Sequence, residues 1–321
     1  MIYKDTLFLR AVAIVLILNS HLDAYYHLKH LGTGGAFGNT LFFMLSAFGL
    51  TASFQKRRKK TFFAWYSQRL MKIFPSVWLT LLFIALPIEL FFNAAPMDIN
   101  QYIFGLLFPP YWFLQALLLF YALGYLLLKN PDKRYIFVSM GILYLIYFFF
   151  YFNYLDLTRW SVENLPFKLI NYMVIFVWGI FLGTRTDKIR YSGLKDLIIL
   201  FCLIAGIYGH KILMFIGMLS EYQFVQQILL LPFGFYCLKV ARSKWITDYL
   251  MQHPILTPPI ALLGSMTLEI YIVHVTLTGT VLRFDIPFPG NALIFLLSTL
   301  FFSYLIKKGT AQRFFQKNFF G

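Results

Sequence analysis

Ten apolar runs, separated by short polar segments, follow one another along the chain. They lie near residues 7–26, 40–55, 75–93, 111–128, 135–152, 168–184, 196–217, 223–239, 260–282 and 290–306. Each is close to the roughly 20 residues that an α-helix needs to cross about 30 Å of hydrocarbon. The pattern predicts an all-α polytopic membrane protein, a bundle of about ten transmembrane helices. No long hydrophilic stretch interrupts it, so a single transmembrane domain over residues 1–321 is expected, without a separate soluble domain.

The basic residues indicate how these helices are oriented. With the N-terminus in the cytoplasm, all but five of the 28 Lys and Arg residues fall in cytoplasmic segments, as the positive-inside rule requires. The exceptions are Lys29, Arg159, Lys168, Lys211 and Arg283. Both termini are therefore predicted to be cytoplasmic.

The composition supports the same class of protein. The chain is 60% hydrophobic and only 13% charged, which is too little polar surface to cover a soluble globule of this size. Its net charge of +15 lies between the apolar runs, so it indicates topology and argues against a nucleic-acid partner. Cys202 and Cys237 fall inside apolar runs and predict no disulfide framework.

Two ionisable residues interrupt the first apolar run, at residues 7–22. Arg10 and His21 are eleven positions apart, which on an α-helix is about 16 Å of rise and within roughly 20° of the same direction. Charged groups inside a membrane are costly and normally face a cavity, a partner or a ligand. This geometry fits a long anionic ligand at Arg10 and proton chemistry at His21.

The most basic segment lies between the second and third runs. The sequence KRRKK, at residues 56–60, is predicted to be a topology signal that contacts anionic membrane lipid. Residues 62–74 carry an apolar stripe at helical spacing and are expected to lie along the inner membrane surface. Pro75 is then expected to begin the third membrane helix.

The loop at residues 23–39 contains several glycines, among them Gly32, Gly34 and Gly35. Glycines permit tight turns and close approach of the chain to a ligand, although a plain flexible connector has the same composition.

Four stretches add a family resemblance to the Arg10 and His21 pair. They are GGAFGNTLFFMLSAFGL at residues 34–50, QRLMKIFPSVW at 68–78, YWFLQALLLFY at 111–121 and SMTLEIYIVH at 265–274. The first two are similar to the FFxxSGF and RRxxRIxPxYW motifs of the acyltransferase-3 family of membrane acyltransferases. The chain departs from the motifs at Ala47, where the family usually has Gly, and at Lys72, where it often has Arg.

The resemblance implies roles for particular residues in acyl transfer. His21 would be the general base, since His is the side chain that changes protonation near neutral pH. Glu269 is expected to orient the His21 ring, because a carboxylate inside the membrane must have a partner. Arg10, Arg69 and Lys72 are expected to bind the phosphates of acetyl-CoA or another acyl-CoA.

Three further residues in the family-like stretches are candidates for substrate contact. These are Ser46, Trp112 and His274. Trp112 equally fits an aromatic belt residue at the membrane interface, and His274 equally fits a packing or hydrogen-bonding role.

The protein is thus expected to be an O-acyltransferase of the bacterial inner membrane. It would move an acyl group, with acetyl as the first candidate, from cytoplasmic acyl-CoA to a carbohydrate hydroxyl of a surface polysaccharide or lipid-linked glycan. No metal is expected. Two alternatives stay open: a transporter or flippase for lipid-linked sugars, although the chain shows no internal repeat, and a non-catalytic scaffold of a polysaccharide assembly complex.

Overall fold

A computed structural model describes residues 4–55, 61–92, 99–158, 165–281, 284 and 286–311. The basic run at residues 56–60, Arg159 and Arg283 lie outside these residues. Within the described ranges the structure contains helices and no strand, which confirms the predicted all-α class.

Thirteen α-helices are present in the described part of the chain. They are α1 (Lys4–Ser20), α2 (Gly35–Gln55), α3 (Phe62–Thr80), α4 (Leu86–Phe92), α5 (Ile99–Leu107), α6 (Trp112–Lys129), α7 (Lys133–Tyr154), α8 (Leu165–Thr184), α9 (Leu194–Phe215), α10 (Phe224–Ala241), α11 (Thr257–Ser265), α12 (Thr267–Val281) and α13 (Gly290–Ala311). Each of the ten predicted runs coincides with one or more of them.

Eight helical segments of the described chain are long and apolar enough to cross a membrane. A ninth is formed if α11 and α12, which are bent by 71° at their junction, are counted as one span. Helix α1 has 17 residues, at the lower end of the range for a membrane helix. The predicted total of ten depends on that short helix and stays a prediction, as does the orientation of the termini.

The chain forms two compact units that alternate along the sequence. The first comprises Met1–Ala13, Ala36–Lys59 and Ala122–Ala261, and the second comprises Ile14–Gly35, Lys60–Tyr121 and Leu262–Gly321.

In the first unit, α8 packs against α7 and α10, and α10 packs against α9. Helix α2 approaches α8 closely at Gly183, where a Cβ atom would lie 2.7 Å from Cβ of Thr51. Small residues allow such contacts between apolar helices, where van der Waals packing holds neighbours together.

In the second unit, α12 packs against α13, and α3 packs against both. Helix α3 begins at Phe62, next to the N-cap residue Thr61, so Pro75 lies inside it and does not begin a helix. The expectation that Pro75 begins the third helix is therefore wrong, and the position of residues 62–74 at the inner membrane surface stays a prediction. Thr61 supplies the start signal, because its hydroxyl accepts a hydrogen bond from the backbone N–H of Ala64.

Candidate active site

The end of helix α1 is fixed by the loop that follows it. The side-chain amide of Asn19 donates to the carbonyl oxygens of Leu31 and Thr33, at 2.8 and 2.9 Å. Gly34 has a φ of +105°, which only glycine adopts readily, and a Cβ there would lie 3.0 Å from Leu16. The loop glycines thus serve a close return of the chain onto α1. This return holds His21, the first residue after the helix, in an exposed position.

His274 lies in the middle of α12 and is fully buried. Its Nδ1 atom is 3.0 Å from the carbonyl oxygen of Ile270, one turn earlier. Since a carbonyl oxygen can only accept, Nδ1 carries the proton and donates. In the neutral ring Nε2 then has a lone pair, and this buried atom makes no hydrogen bond to the described residues. Nε2 of His274 is therefore a hydrogen-bond acceptor whose lone pair is fixed by the hydrogen bond that Nδ1 donates.

The structure brings His21 and His274 together. Their ring centroids are 4.8 Å apart and the rings are tilted by 57°. The ring centroid of Tyr271 lies 5.3 Å from that of His274 and also packs against this ring. Two imidazoles at this separation can exchange or share a proton once a ring turns, because each has a donor and an acceptor nitrogen.

Glu269 lies five residues before His274, in the first turn of α12, and its side chain is 4% exposed. Its Oε1 atom accepts hydrogen bonds from Ser76 of α3, at 3.2 Å, and from Lys307 of α13, at 3.5 Å. Its Oε2 atom is buried and has no hydrogen bond within the described ranges. The described hydrogen bonds of Glu269 thus go to Ser76 and Lys307, whereas the ring beside His21 is that of His274.

Two tyrosines connect α12 to neighbouring segments. The hydroxyl of Tyr111 lies 3.0 Å from that of Thr276, and the hydroxyl of Tyr25 donates to the carbonyl oxygen of Thr278 at 2.8 Å. Burial raises the pKa of Tyr25 to about 12, so this phenol stays protonated and keeps donating at neutral pH. These contacts anchor the C-terminal half of α12 beside the histidine pair.

The expected donor-binding cations lie on different parts of the chain. Arg69 and Lys72 are one turn apart on α3, where Arg69 is half-buried and Lys72 is exposed. The guanidinium of Arg69 lies 5.5 Å from the ring centroid of Trp65, a distance at which a cation is attracted to an aromatic face. Arg10 belongs to the first unit, and its Nη2 atom lies 3.5 Å from the position that a Cβ on Gly49 would occupy.

The two remaining candidate substrate residues, Ser46 and Trp112, belong to different units of the chain. Ser46 is half-buried on α2 in the first unit, and Trp112 is the half-buried first residue of α6 in the second. The structure therefore groups His21, His274 and Glu269 in one unit, together with Ser76 and Lys307, which sequence reasoning missed. Lys307 is at the end of the last apolar run and was expected to act as a topology signal only.

The described part of this mostly apolar chain is all-α and contains eight or nine helices of membrane length. Together with the pair of histidines, these helices define an integral membrane protein with residues that can transfer a proton. The model of the acyltransferase-3 family, described as an acyltransferase domain, matches residues 8–308. The chain belongs to this family and is a membrane acyltransferase. No curated protein and no solved structure matches the chain.

Among the described residues, no group of three or more His, Cys, Asp or Glu side chains converges on a possible metal site. The family membership implies an acyl donor and an acceptor.

Proposed function

We propose that this acyltransferase is an O-acyltransferase of the bacterial inner membrane, moving an acyl group, first of all acetyl, from cytoplasmic acyl-CoA to a hydroxyl of a carbohydrate in a surface polysaccharide or lipid-linked glycan. The observation that carries the proposal is the His21 and His274 pair, in a chain whose family transfers acyl groups. An alcohol acceptor needs a base to remove its proton, and this pair supplies one.

In the proposed reaction His21 is the base, since it is the exposed member of the pair. As the acceptor oxygen bonds to the acyl carbon, its proton passes to His21 and the carbon–sulfur bond breaks. The thiolate that leaves takes up a proton, so the products are an ester and free CoA. The reaction consumes no oxidant and no metal.

His274 would set the protonation of His21. A turn of the exposed His21 ring brings one of its nitrogens to Nε2 of His274, which can accept its N–H because Nδ1 already donates to Ile270. The other nitrogen of His21 then carries the lone pair that faces the acceptor. An orienting group that fixes the tautomer of a catalytic His works in this way in many hydrolases.

Arg10, Arg69 and Lys72 would bind the phosphates of acyl-CoA. Guanidinium groups match phosphate oxygens with paired hydrogen bonds, and the charge bias of the chain supports a cytoplasmic position for all three. Trp112 and Ser46 would contact the substrates, and Glu269, held by Ser76 and Lys307, would keep α12 in the position at which His274 meets His21.

The proposal is tested by release of free thiol from acetyl-CoA by the purified protein. His21→Ala should reduce turnover by about 10² to 10⁴, the usual contribution of a general base. His27→Ala is the matched control: it removes another exposed histidine of the same loop, whose ring contacts Phe288, and should leave turnover unchanged.

Near-normal turnover in His21→Ala would refute the mechanism. The acceptor class is tested separately, by mass spectrometry of surface glycans from cells with and without the gene. The same ester content in glycans from the two kinds of cell would refute the carbohydrate acceptor. The thiol-release assay would still test the acyl-transfer chemistry.

A further inference from the structure

A cavity of about 740 Å³ lies in the first unit, at the end that the charge bias predicts to be cytoplasmic. It is bordered by the segment before α9 and the segment after α10. The lining residues used below are Arg190, Tyr191, Leu197, Arg242, Lys244 and Trp245. None of them has a part in the proposed acyl transfer.

Two cations of the cavity are available to a ligand. Arg190 and Lys244 are exposed, and neither forms a hydrogen bond or ion pair through its side chain with any described residue. Arg242 differs, because its Nε atom donates to Asp5 at 2.8 Å and its Nη1 atom donates to the carbonyl oxygens of Thr186 and Ile189. The guanidinium of Arg242 is therefore engaged by the protein, whereas the side chains of Arg190 and Lys244 are available to a ligand in the cavity.

The nearby carboxylates do not neutralise these two cations. Asp5 is engaged by Arg242, and Asp196 is 2.6 Å from Nζ of Lys239. Asp187 and Asp248 are exposed, but neither lines the cavity or forms an ion pair with Arg190 or Lys244. A net positive cavity with two unengaged basic side chains favours an anion that carries more than one oxygen.

An apolar stripe leads away from the cavity along α9. Leu194, Leu197, Ile198 and Phe201 follow the i, i+3, i+4, i+7 spacing of one helix face. They are 69, 42, 52 and 71% exposed, and Leu197 also lines the cavity. The cations therefore lie at one end of a continuous apolar track, so a ligand that fills both is anionic at one end and has hydrocarbon at the other.

The aromatic residues favour the same ligand. Trp245, which is 62% exposed, and Tyr191 both line the cavity. Trp and Tyr concentrate at the level of lipid headgroups, where one side of the ring meets hydrocarbon and the other meets water. A soluble phosphate compound would use the cations but leave the apolar stripe uncovered.

We infer that this cavity is a binding site for one anionic phospholipid, with the phosphate on Arg190 and Lys244, the headgroup beside Trp245, and an acyl chain along the exposed face of α9. Basic pockets at the cytoplasmic ends of membrane helices have the charge that such headgroups require. The site is independent of the acyl-transfer proposal.

The test is displacement of fluorescent phosphatidylglycerol from the purified full-length protein in a zwitterionic detergent. The double variant Arg190→Ala with Lys244→Ala should weaken phosphatidylglycerol binding about 30-fold, since each basic residue near an anionic lipid contributes about fivefold. The matched control is Lys133→Ala with Arg134→Ala, which removes one Lys and one Arg from the exposed start of α7, on the same expected side of the membrane. The control should change binding by less than about twofold, because Lys133 and Arg134 do not line the cavity and the attraction falls off within a Debye length.

Competitors identify the occupant. Unlabelled phosphatidylglycerol should displace the probe, whereas phosphatidylcholine with the same chains and free CoA should not. Equal loss in the two double variants would show a diffuse charge effect and overturn the site. Displacement by CoA as effective as that by phosphatidylglycerol would show a soluble phosphate ligand, and effective displacement by phosphatidylcholine would show an apolar groove without headgroup recognition. Thermal unfolding of each variant excludes loss of the fold.

Discussion

The role assigned to His274 is tested by two substitutions that separate its two nitrogens. In His274→Asn the amide nitrogen can occupy the place of Nδ1 and keep the hydrogen bond to Ile270, while nothing replaces Nε2. In His274→Gln the longer side chain can place its carbonyl oxygen near Nε2, while the donor at Nδ1 is lost. The two variants therefore preserve opposite halves of the ring.

The expected magnitudes follow from the contacts of the ring. Losing the 3.0 Å hydrogen bond to Ile270 should cost about 0.5–1.5 kcal/mol of stability. Leaving the N–H of His21 without its acceptor in the transition state should cost about 1–3 kcal/mol. At about 1.4 kcal/mol for each factor of ten, the second loss is roughly a 5- to 150-fold fall in kcat. His274→Asn should show that fall and His274→Gln only a small part of it.

The assay is thiol release at saturating acetyl-CoA, with KM measured alongside and the unfolding temperature recorded for each variant. A positioning role moves kcat and leaves the KM for acetyl-CoA unchanged, because the residues proposed to bind the donor phosphates lie on other parts of the chain. The reasoning is refuted if Gln is worse than Asn, which would point to Nδ1 and a structural role. The reasoning is also refuted if the fall in kcat across the variants is explained by the fall in unfolding temperature alone.

Three further perturbations address the donor, the carboxylate and the topology. Arg69→Ala or Arg10→Ala should weaken acyl-CoA binding by about ten- to 150-fold, as expected for lost hydrogen bonds to a charged group, and Lys at either position should recover only part of the affinity. The affinity is measured by titration of the purified protein. An unchanged affinity would move the donor site elsewhere. Glu269→Gln should lower turnover less than His21→Ala does. It should lower the unfolding free energy by about 1 kcal/mol or less, because Lys307, the ion-pair partner of Glu269, is 42% exposed. A larger loss of stability in a thermal melt would contradict this expectation. In a background without native cysteines, a cysteine at Asn153 should react with an impermeant reagent on intact cells and one at Arg58 should not, and the reverse result would invert the topology.

Much of the fold could be predicted from the sequence because a membrane helix is a local pattern. Each of the ten apolar runs coincides with helix in the structure. The start of the third one was misplaced because Pro75 is an ambiguous signal. Proline is favoured in the first turn of a helix but is also tolerated inside membrane helices, and the N-cap at Thr61 decided the matter.

The arrangement of the site was predictable only in part. The stretch SMTLEIYIVH contains both Glu269 and His274, and the sequence favoured the carboxylate as the partner of His21 because an intramembrane charge needs one. The structure gives that charge to Ser76 and Lys307, which lie on two other helices. The contact between His21 and His274 depends on how far α12 is displaced along its axis relative to the end of α1, and no local pattern encodes that displacement.

The hydrogen bonding along α12 supports a functional reading of this helix. Two of its hydroxyls are satisfied locally, since Thr276 and Thr278 donate to the carbonyl oxygens of Ile272 and His274 one turn earlier. Glu269 and His274, by contrast, each keep one buried polar atom without a hydrogen bond to the described residues. Each such atom costs about 1–3 kcal/mol, which an apolar side chain of similar size would avoid. The open atom of His274 belongs to the ring that lies beside His21, where the proposed reaction needs an acceptor.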